Sequence, residues 1–221
     1  MLNDKIYKLL PISVKRAYMN SIVVKGYNNN NYFDEYRSRS LTEHEMQTIS
    51  KFVKYSSKRH PRLLDLGCGN GTVFDTFMVS LGVELVGVDL VKKHIEHAKS
   101  ILPESVFVTS DFMEYEPLYK FDLVTAFYSL YNLPKEIHGE LIKKIADWLK
   151  PYGSALLLIR VRGVGEFDKQ ESWCGAPMAF SYGDYTEFVN HAISAHLMYK
   201  VIPHEDNDEY VWLELHKGPL L

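Results

Sequence analysis

From Leu41 onward, short runs of apolar residues alternate with segments whose apolar side chains recur at helical spacing. This alternation constrains the fold strongly. A strand followed by a crossover helix returns parallel to its predecessor, and each crossover lays a helix over one face of the sheet. A helix near Thr42 to Tyr55, with Met46, Ile49 and Val53 on one face, opens the series. Strands are predicted at Arg62 to Leu66, Glu84 to Asp89, Val106 to Thr109, Phe121 to Phe127 and Ser154 to Arg160. Helices near Thr72 to Leu81, Lys92 to Ile101 and Pro134 to Leu149 lie between most of them. A further helix, Tyr185 to Ala195, precedes strands at His196 to Pro203 and Tyr210 to Lys217, whose short acidic turn forces them to pair antiparallel. The expected fold is α/β: a doubly wound, mostly parallel seven-stranded sheet with a C-terminal antiparallel hairpin.

Residues 1–40 read as an N-terminal helical cap on a main domain of residues 41–221. Leu2, Ile6, Leu9 and Leu10 share one helical face, and Ile12, Arg16, Met19, Ile22 and Val23 suggest a second short helix after Pro11. Gly26 and the run Asn28 to Asn31 predict a polar loop ending that cap. Tyr27, Tyr32, Phe33 and Tyr36 lie in or beside it, and the three tyrosines are candidate lid residues.

With 46% hydrophobic and 24% charged residues, the composition is that of an ordinary globular chain. The net charge of -3 and the dispersed basic residues argue against a nucleic-acid partner. No apolar run reaches the about 18 residues of a membrane span, and Asp4, Lys5 and Lys8 interrupt the segment where a signal peptide needs continuity. A cytoplasmic protein is expected, in keeping with only two cysteines, Cys68 and Cys174.

The chemistry concentrates in Leu63-Leu64-Asp65-Leu66-Gly67-Cys68-Gly69-Asn70-Gly71-Thr72. Here an apolar strand runs into three alternate glycines and then a helix, so the backbone can turn sharply and meet a ligand with no Cβ in the way. The second strand ends at Asp89, followed by Leu90, placing a carboxylate where an adenosine ribose would present two hydroxyls. The third ends in Asp111 and Phe112, suited to an exocyclic amine and to the face of an adenine ring. Carboxylates after all three of the first strands make a joint site.

These residues resemble class I S-adenosylmethionine-dependent methyltransferases of the bacterial small-molecule type, with their Rossmann-like sheet, over about residues 41 to 217. The family's Asp-x-Gly-x-Gly-x-Gly is matched by Asp65, Gly67, Gly69 and Gly71, whereas nicotinamide-linked oxidoreductases use G-x-G-x-x-G. Leu149-Lys150-Pro151-Tyr152-Gly153 before the fifth strand extends the resemblance. The resemblance implies S-adenosyl-L-methionine as cofactor. Asp65 and the backbone of Gly67, Cys68 and Gly69 would hold its methionine portion, Asp89 with Leu90 its ribose, and Asp111 with Phe112 its adenine. Phe127 would lie near the methionine amine. The implied reaction is methyl transfer to a small-molecule acceptor by in-line displacement. A protein that only senses or presents the donor would carry the same binding residues.

The fourth strand continues into Tyr128-Ser129-Leu130 and lacks an Asn-Pro-Pro-Tyr motif, which disfavours methylation of a nucleic-acid base. Tyr128 and His138 are the candidate proton acceptors by position. Gly163 to Tyr182 is expected to form a loop whose Trp173, Met178 and Tyr182, with Tyr128 opposite, wall the acceptor site. No metal site is expected: His94 and His97 sit three apart on a helix without a third ligand, which predicts a solvated face. Cys68 should pack beside the cofactor without covalent chemistry.

Overall fold

The structure is a computed structural model that describes residues 4–29, 32, 40–56, 58–161 and 165–218. Two N-terminal helices, α1 (Asp4–Lys8) and α2 (Ile12–Asn29), precede α3 (Glu43–Tyr55). Then follow β1 (Arg62–Leu66), α4 (Phe74–Ser80), β2 (Glu84–Asp89), α5 (Lys92–Ile101), β3 (Val106–Thr109) and β4 (Phe121–Ala126). Two short 3₁₀ turns lead into α6 (His138–Trp148) and β5 (Leu149–Arg160). The chain closes with β6 (Gly165–Trp173), β7 (Ala176–Tyr182), α7 (Tyr185–Ser194), β8 (Met198–Pro203) and β9 (Tyr210–His216).

The seven-stranded sheet has the order β3-β2-β1-β4-β5-β9-β8. Its first five strands are parallel, and β9 pairs antiparallel with both β5 and β8. Successive strand residues point to opposite faces, which sorts the apolar residues into two cores. Leu64, Leu66, Val86, Val88, Val124 and Leu157 pack beneath Leu141, Ile142 and Ile145 of α6 and Phe188 of α7. Leu63, Leu85, Leu123 and Leu156 pack on the other side against Ile49 and Phe52 of α3, Phe74 and Met78 of α4, and Ile95 of α5. The chain winds outward from β1 to β3, then returns to the other side of β1 as β4. That reversal leaves a crevice beyond the carboxyl ends of β1 and β4, where ligands bind in open sheets of this kind.

Two expectations change at the N-terminal side. The predicted loop after β5 is a two-stranded antiparallel sheet, with Asp168 opposite Phe180 and Gln170 opposite Met178. Its turn, Cys174-Gly175, has φ of 48° and 86°, the paired left-handed conformations that match the twist of a two-residue hairpin. The predicted break at Gly26 is likewise absent, because α2 runs through it to Asn29. A Cβ on Gly26 would stand 2.4 Å from the Pro177 carbonyl oxygen and 2.8 Å from Met178 Cε. This glycine therefore permits close approach of helix to hairpin. Val23 packs with Met178, Phe180 and Tyr182, while Tyr7 stacks on Phe167 with ring centroids 4.0 Å apart. Among the described residues no helix is long and apolar enough to cross a membrane, and no group of three or more His, Cys, Asp or Glu is placed to hold a metal.

Candidate active site

The turn after β1 is built by backbone conformation. Gly67, Gly69 and Gly71 have φ of 77°, 61° and 77°, a region costly for residues with a Cβ. At Gly67 a Cβ would also fall 2.4 Å from Ser129 Cβ. The turn is pinned to β2 by the Gly67 amide, which donates to the Val88 carbonyl at 2.7 Å, and to the end of β4 by Ser129 Oγ, which donates to the Leu66 carbonyl at 2.7 Å. Helix α4 starts two residues later than expected, at Phe74, because Asn70 Oδ1 first accepts from the Thr72 amide and hydroxyl at 3.3 and 2.7 Å.

Three carboxylates flank this turn. Asp65 is buried, and its Oδ1 accepts from Thr125 Oγ1 at 2.5 Å, a contact set by the β1–β4 register that places the two residues side by side. Asp89 closes β2: Oδ2 accepts from the Gly69 amide at 2.9 Å and Oδ1 from the Val91 amide at 2.8 Å. His94 is no solvated residue. Its Nδ1 lies 3.2 Å from Asp89 Oδ1, and its ring meets Tyr27 edge-on at 5.1 Å. Asp111 is tied to α2, accepting from Asn20 Nδ2 at 2.7 Å, with Arg16 Nε 3.5 Å away. Burial, followed by the fields of Asp75, Asp89 and Asp65, pushes the Cys68 thiol well above its ordinary pKa. It stays protonated and unreactive near neutral pH.

A cleft of about 870 Å³, open mouth included, lies over this turn. Its wall contains Asp65, Gly67, Cys68, Gly69, Asp89, Leu90, Asp111, Phe112 and Phe127, all singled out in the sequence. Tyr27, Tyr32 and Tyr128 also line it, whereas Tyr36 lies outside the described residues. Asn20, Val23 and His94 join the wall without having been anticipated. No local pattern marks Asn20, which arrives only because α2 packs on the hairpin. His94, five residues after Asp89 and near a helix start, is the one whose position carried a signal.

Tyr128 adopts a left-handed φ of 55° just past β4 and forms a wall common to this cleft and a second, wider cavity of about 1530 Å³. Tyr32 also borders both. Trp173 reaches the second cavity, its ring tilted against that of Tyr32 with centroids 4.7 Å apart. The other residues expected near the acceptor are placed elsewhere. Met178 is fully buried beneath Gly26 and lines neither cavity. Tyr182 turns its hydroxyl to Arg160, which donates to it at 2.7 Å. His138 lies under the hairpin, stacked on Phe188 at 4.6 Å with Nε2 3.2 Å from the Leu130 carbonyl oxygen, and burial lowers its pKa to about 4. It is away from both cavities because α6 and α7 close over it, so the expected proton acceptor is a packing residue.

Sequence reasoning passed over Glu45 and His204. Glu45 is completely buried at the third position of α3, where it caps the helix reciprocally with Thr42 and accepts from Tyr128 Oη at 3.2 Å. The Thr-x-x-Glu capping signature was visible, but its meeting with Tyr128 was not.

Comparison with known proteins agrees with this architecture. Trans-aconitate 2-methyltransferase of Escherichia coli O1:K1 / APEC is 30% identical over 114 residues, covering 50% of this chain and 44% of that protein. The 27-O-demethylrifamycin SV methyltransferase of Amycolatopsis mediterranei (strain S699) is 33% identical over 103 residues, 43% of this chain and 37% of that protein. The matched stretch thus spans less than half of these curated relatives. Among solved structures, the CcbJ methyltransferase from Streptomyces caelestis superposes with a TM-score of 0.69 at 14% identity, covering 91% of this chain and 98% of that one. CalS10 from Micromonospora echinaspora, an amino pentose methyltransferase with bound S-adenosylmethionine, gives 0.66 at 16% identity, with 83% and 95% covered. These likenesses show the fold. A family model described as a methyltransferase domain matches residues 33–192, most of the length, and by that match together with the strand-tip site the chain belongs to the methyltransferase domain family.

Proposed function

We propose that this chain binds S-adenosylmethionine in the cleft over the glycine turn and transfers its methyl group to a small molecule in the adjoining cavity. The observation that carries the reading is the convergence of three strand-tip carboxylates and a Cβ-free turn on one cleft, with Tyr128 forming the wall to the next. The residues suit the cofactor. Gly69 lets the backbone come close, Asp89 presents a braced carboxylate to hydroxyl donors, and Phe112 and Leu90 offer apolar cover to an aromatic base. When bound, the cofactor supplies a methyl group on a positively charged sulfur with a good leaving group.

The chain itself contributes alignment and exclusion of water. Asp65 and the Gly67–Gly69 backbone position the amino-acid end, and Phe127 packs beside it. Tyr27 of α2, with Tyr32 beyond it, closes the mouth of the cleft, a lid anchored by the packing of α2 on β7. Only two cysteines, too few for a disulfide framework, suit a cytoplasmic setting. Titration calorimetry with S-adenosylmethionine, paired with transfer of a deuterated methyl group into a bacterial metabolite extract, tests the reading. Saturable binding and a labelled metabolite are expected; failure to bind the donor overturns the reading, and binding without any labelled product leaves a donor-binding protein in its place.

A further inference from the structure

Resting on that reading, we infer that Asn20 of the cap helix α2 is the residue that recognises the donor's adenine, its Oδ1 accepting from the 6-amino group, and that Asp111 holds Asn20 in position. The path of α2 argues for this first. Arg16, Asn20, Val23 and Tyr27 fall on one face of the helix, and the last three line the cleft over the glycine turn. At one end of this stripe Arg16 Nε lies 3.5 Å from Asp111, and Asn20 bonds the same carboxylate. At the other end Tyr27 meets His94, whose Nδ1 is 3.2 Å from Asp89. Helix α2 therefore crosses the cleft from the loop after β3 to the tip of β2. Asn20 stands at the β3 end, bonded to the residue just before Phe112, the side chain proposed to cover the base.

The bonds of Asp111 decide what is left to meet that base. Its Oδ1 accepts from the Met113 amide at 2.9 Å and its Oδ2 from Asn20 Nδ2 at 2.7 Å, with Arg16 opposing its charge. Both oxygens are turned to the helix and to their own loop. A carboxylate can only accept, so the atom of the Asn20 carboxamide that faces Asp111 must be the nitrogen, which identifies Oδ1 as the other end. The bond uses one Nδ2 hydrogen. Oδ1 and the second hydrogen have no hydrogen-bond partner among the described residues. An acceptor and a donor side by side in one plane match an edge of adenine, where the 6-amino group lies beside a ring nitrogen, and this is the bidentate pairing by which Asn selects adenine among the bases. Asp111 alone could accept from the amino group but has no donor for the ring nitrogen. Hypoxanthine, with oxygen in place of the amino group, would set a carbonyl against Oδ1.

Calorimetry with S-adenosylhomocysteine and S-inosylhomocysteine, its 6-oxo counterpart, tests the inference. The unmodified protein should bind the adenosyl compound about tenfold or more tighter, and in Asn20→Ala that ratio should fall to about threefold or less. The ratio separates recognition from packing, because a side chain that only braced α2 would weaken both ligands alike. A ratio unchanged in Asn20→Ala would overturn the inference and return the amino group to Asp111. Equal binding of the two compounds by the unmodified protein would overturn it as well, whatever the variants do. Val23 and Gly26 still seat α2 on the hairpin when Asn20 is truncated. Should Asn20→Ala not fold, Asn20→Leu, close to Asn in size and without its hydrogen-bonding groups, carries the same expected ratio. Failure of the unmodified protein to bind S-adenosylhomocysteine at all would remove the donor assignment itself, a result distinct from a lost preference.

Discussion

The cleft over the glycine turn, proposed to hold the methyl donor, and the wider cavity, proposed to hold the acceptor, meet at Tyr128 but are made in different ways. The donor cleft is a property of one strand-turn-helix and two neighbouring strand tips, with its contacts set by backbone φ, parallel register and residues close in sequence. The acceptor cavity is assembled from α3, the end of β5, the β6–β7 hairpin and the β8–β9 turn, elements far apart in the chain. The first can tolerate little change in backbone shape. The second holds its residues by side-chain packing, so its chemistry can vary without altering the sheet, which suits a family whose members share a fold and differ in acceptor.

The harshest challenge to this contrast is Gly67→Ala. The left-handed φ of 77° and the 2.4 Å approach to Ser129 Cβ should cost about 3 kcal/mol or more of stability and abolish donor binding, as seen by denaturant unfolding and calorimetry. A variant of parental stability would show that the turn can rearrange and that backbone shape does not define the cleft. Asp89→Ala should be milder. It should weaken S-adenosylmethionine by about 2 kcal/mol or more, through loss of a charged acceptor, and also loosen the Gly69 turn. Unchanged affinity in a folded protein would remove Asp89 from the site.

His138 probes the packing that supports the other region. Its pKa falls from 6.5 to about 4 on folding, so the unfolded chain binds the extra proton between those values. The stabilisation is complete above about pH 6.5 and is lost as the pH falls toward 4. Between pH 7 and pH 4.5 unfolding free energy should drop by about 2 kcal/mol on this account, and His138→Gln should flatten that slope. An equal slope in the variant would place the acid sensitivity elsewhere. Smallest is Trp173→Ala, which opens the acceptor wall: methyl transfer should fall roughly tenfold through lost positioning while donor affinity stays within about 0.5 kcal/mol. Equal loss of both would mean that the two regions are not separable, as the contact of Trp173 with Tyr27 and Tyr32 would allow.

The mostly parallel sheet, its antiparallel end and the glycine turn were legible because they depend on short-range rules. Period-two and period-3.6 patterns located the elements, and the alternate glycines located the turn. The legibility failed where one residue answers to a distant neighbour. Gly26 carries the local signature of a helix breaker, yet it sits inside α2 because Pro177 and Met178 press against it. Cys174-Gly175 gives a hairpin without the usual Asn or Asp, so the strands on either side looked like a loop. His138 has the sequence context of an exposed helix start, and only the closure of α7 over α6 buries it against Phe188.

The sequence by itself thus determined the parallel core, the antiparallel end of the sheet and a glycine turn flanked by Asp65, Asp89 and Asp111, since periodicity and backbone sterics act within a few residues. Tertiary structure alone decided that α2 reaches over the cleft with Asn20 and Tyr27, and that Met178 and Tyr182 serve packing and Arg160 instead of a ligand. It also brought Glu45 and His204 to within 3.8 Å of each other next to Tyr128. The reason is physical: burial and pairing of these side chains depend on which distant surfaces the folded sheet presses together, and no local pattern encodes that juxtaposition.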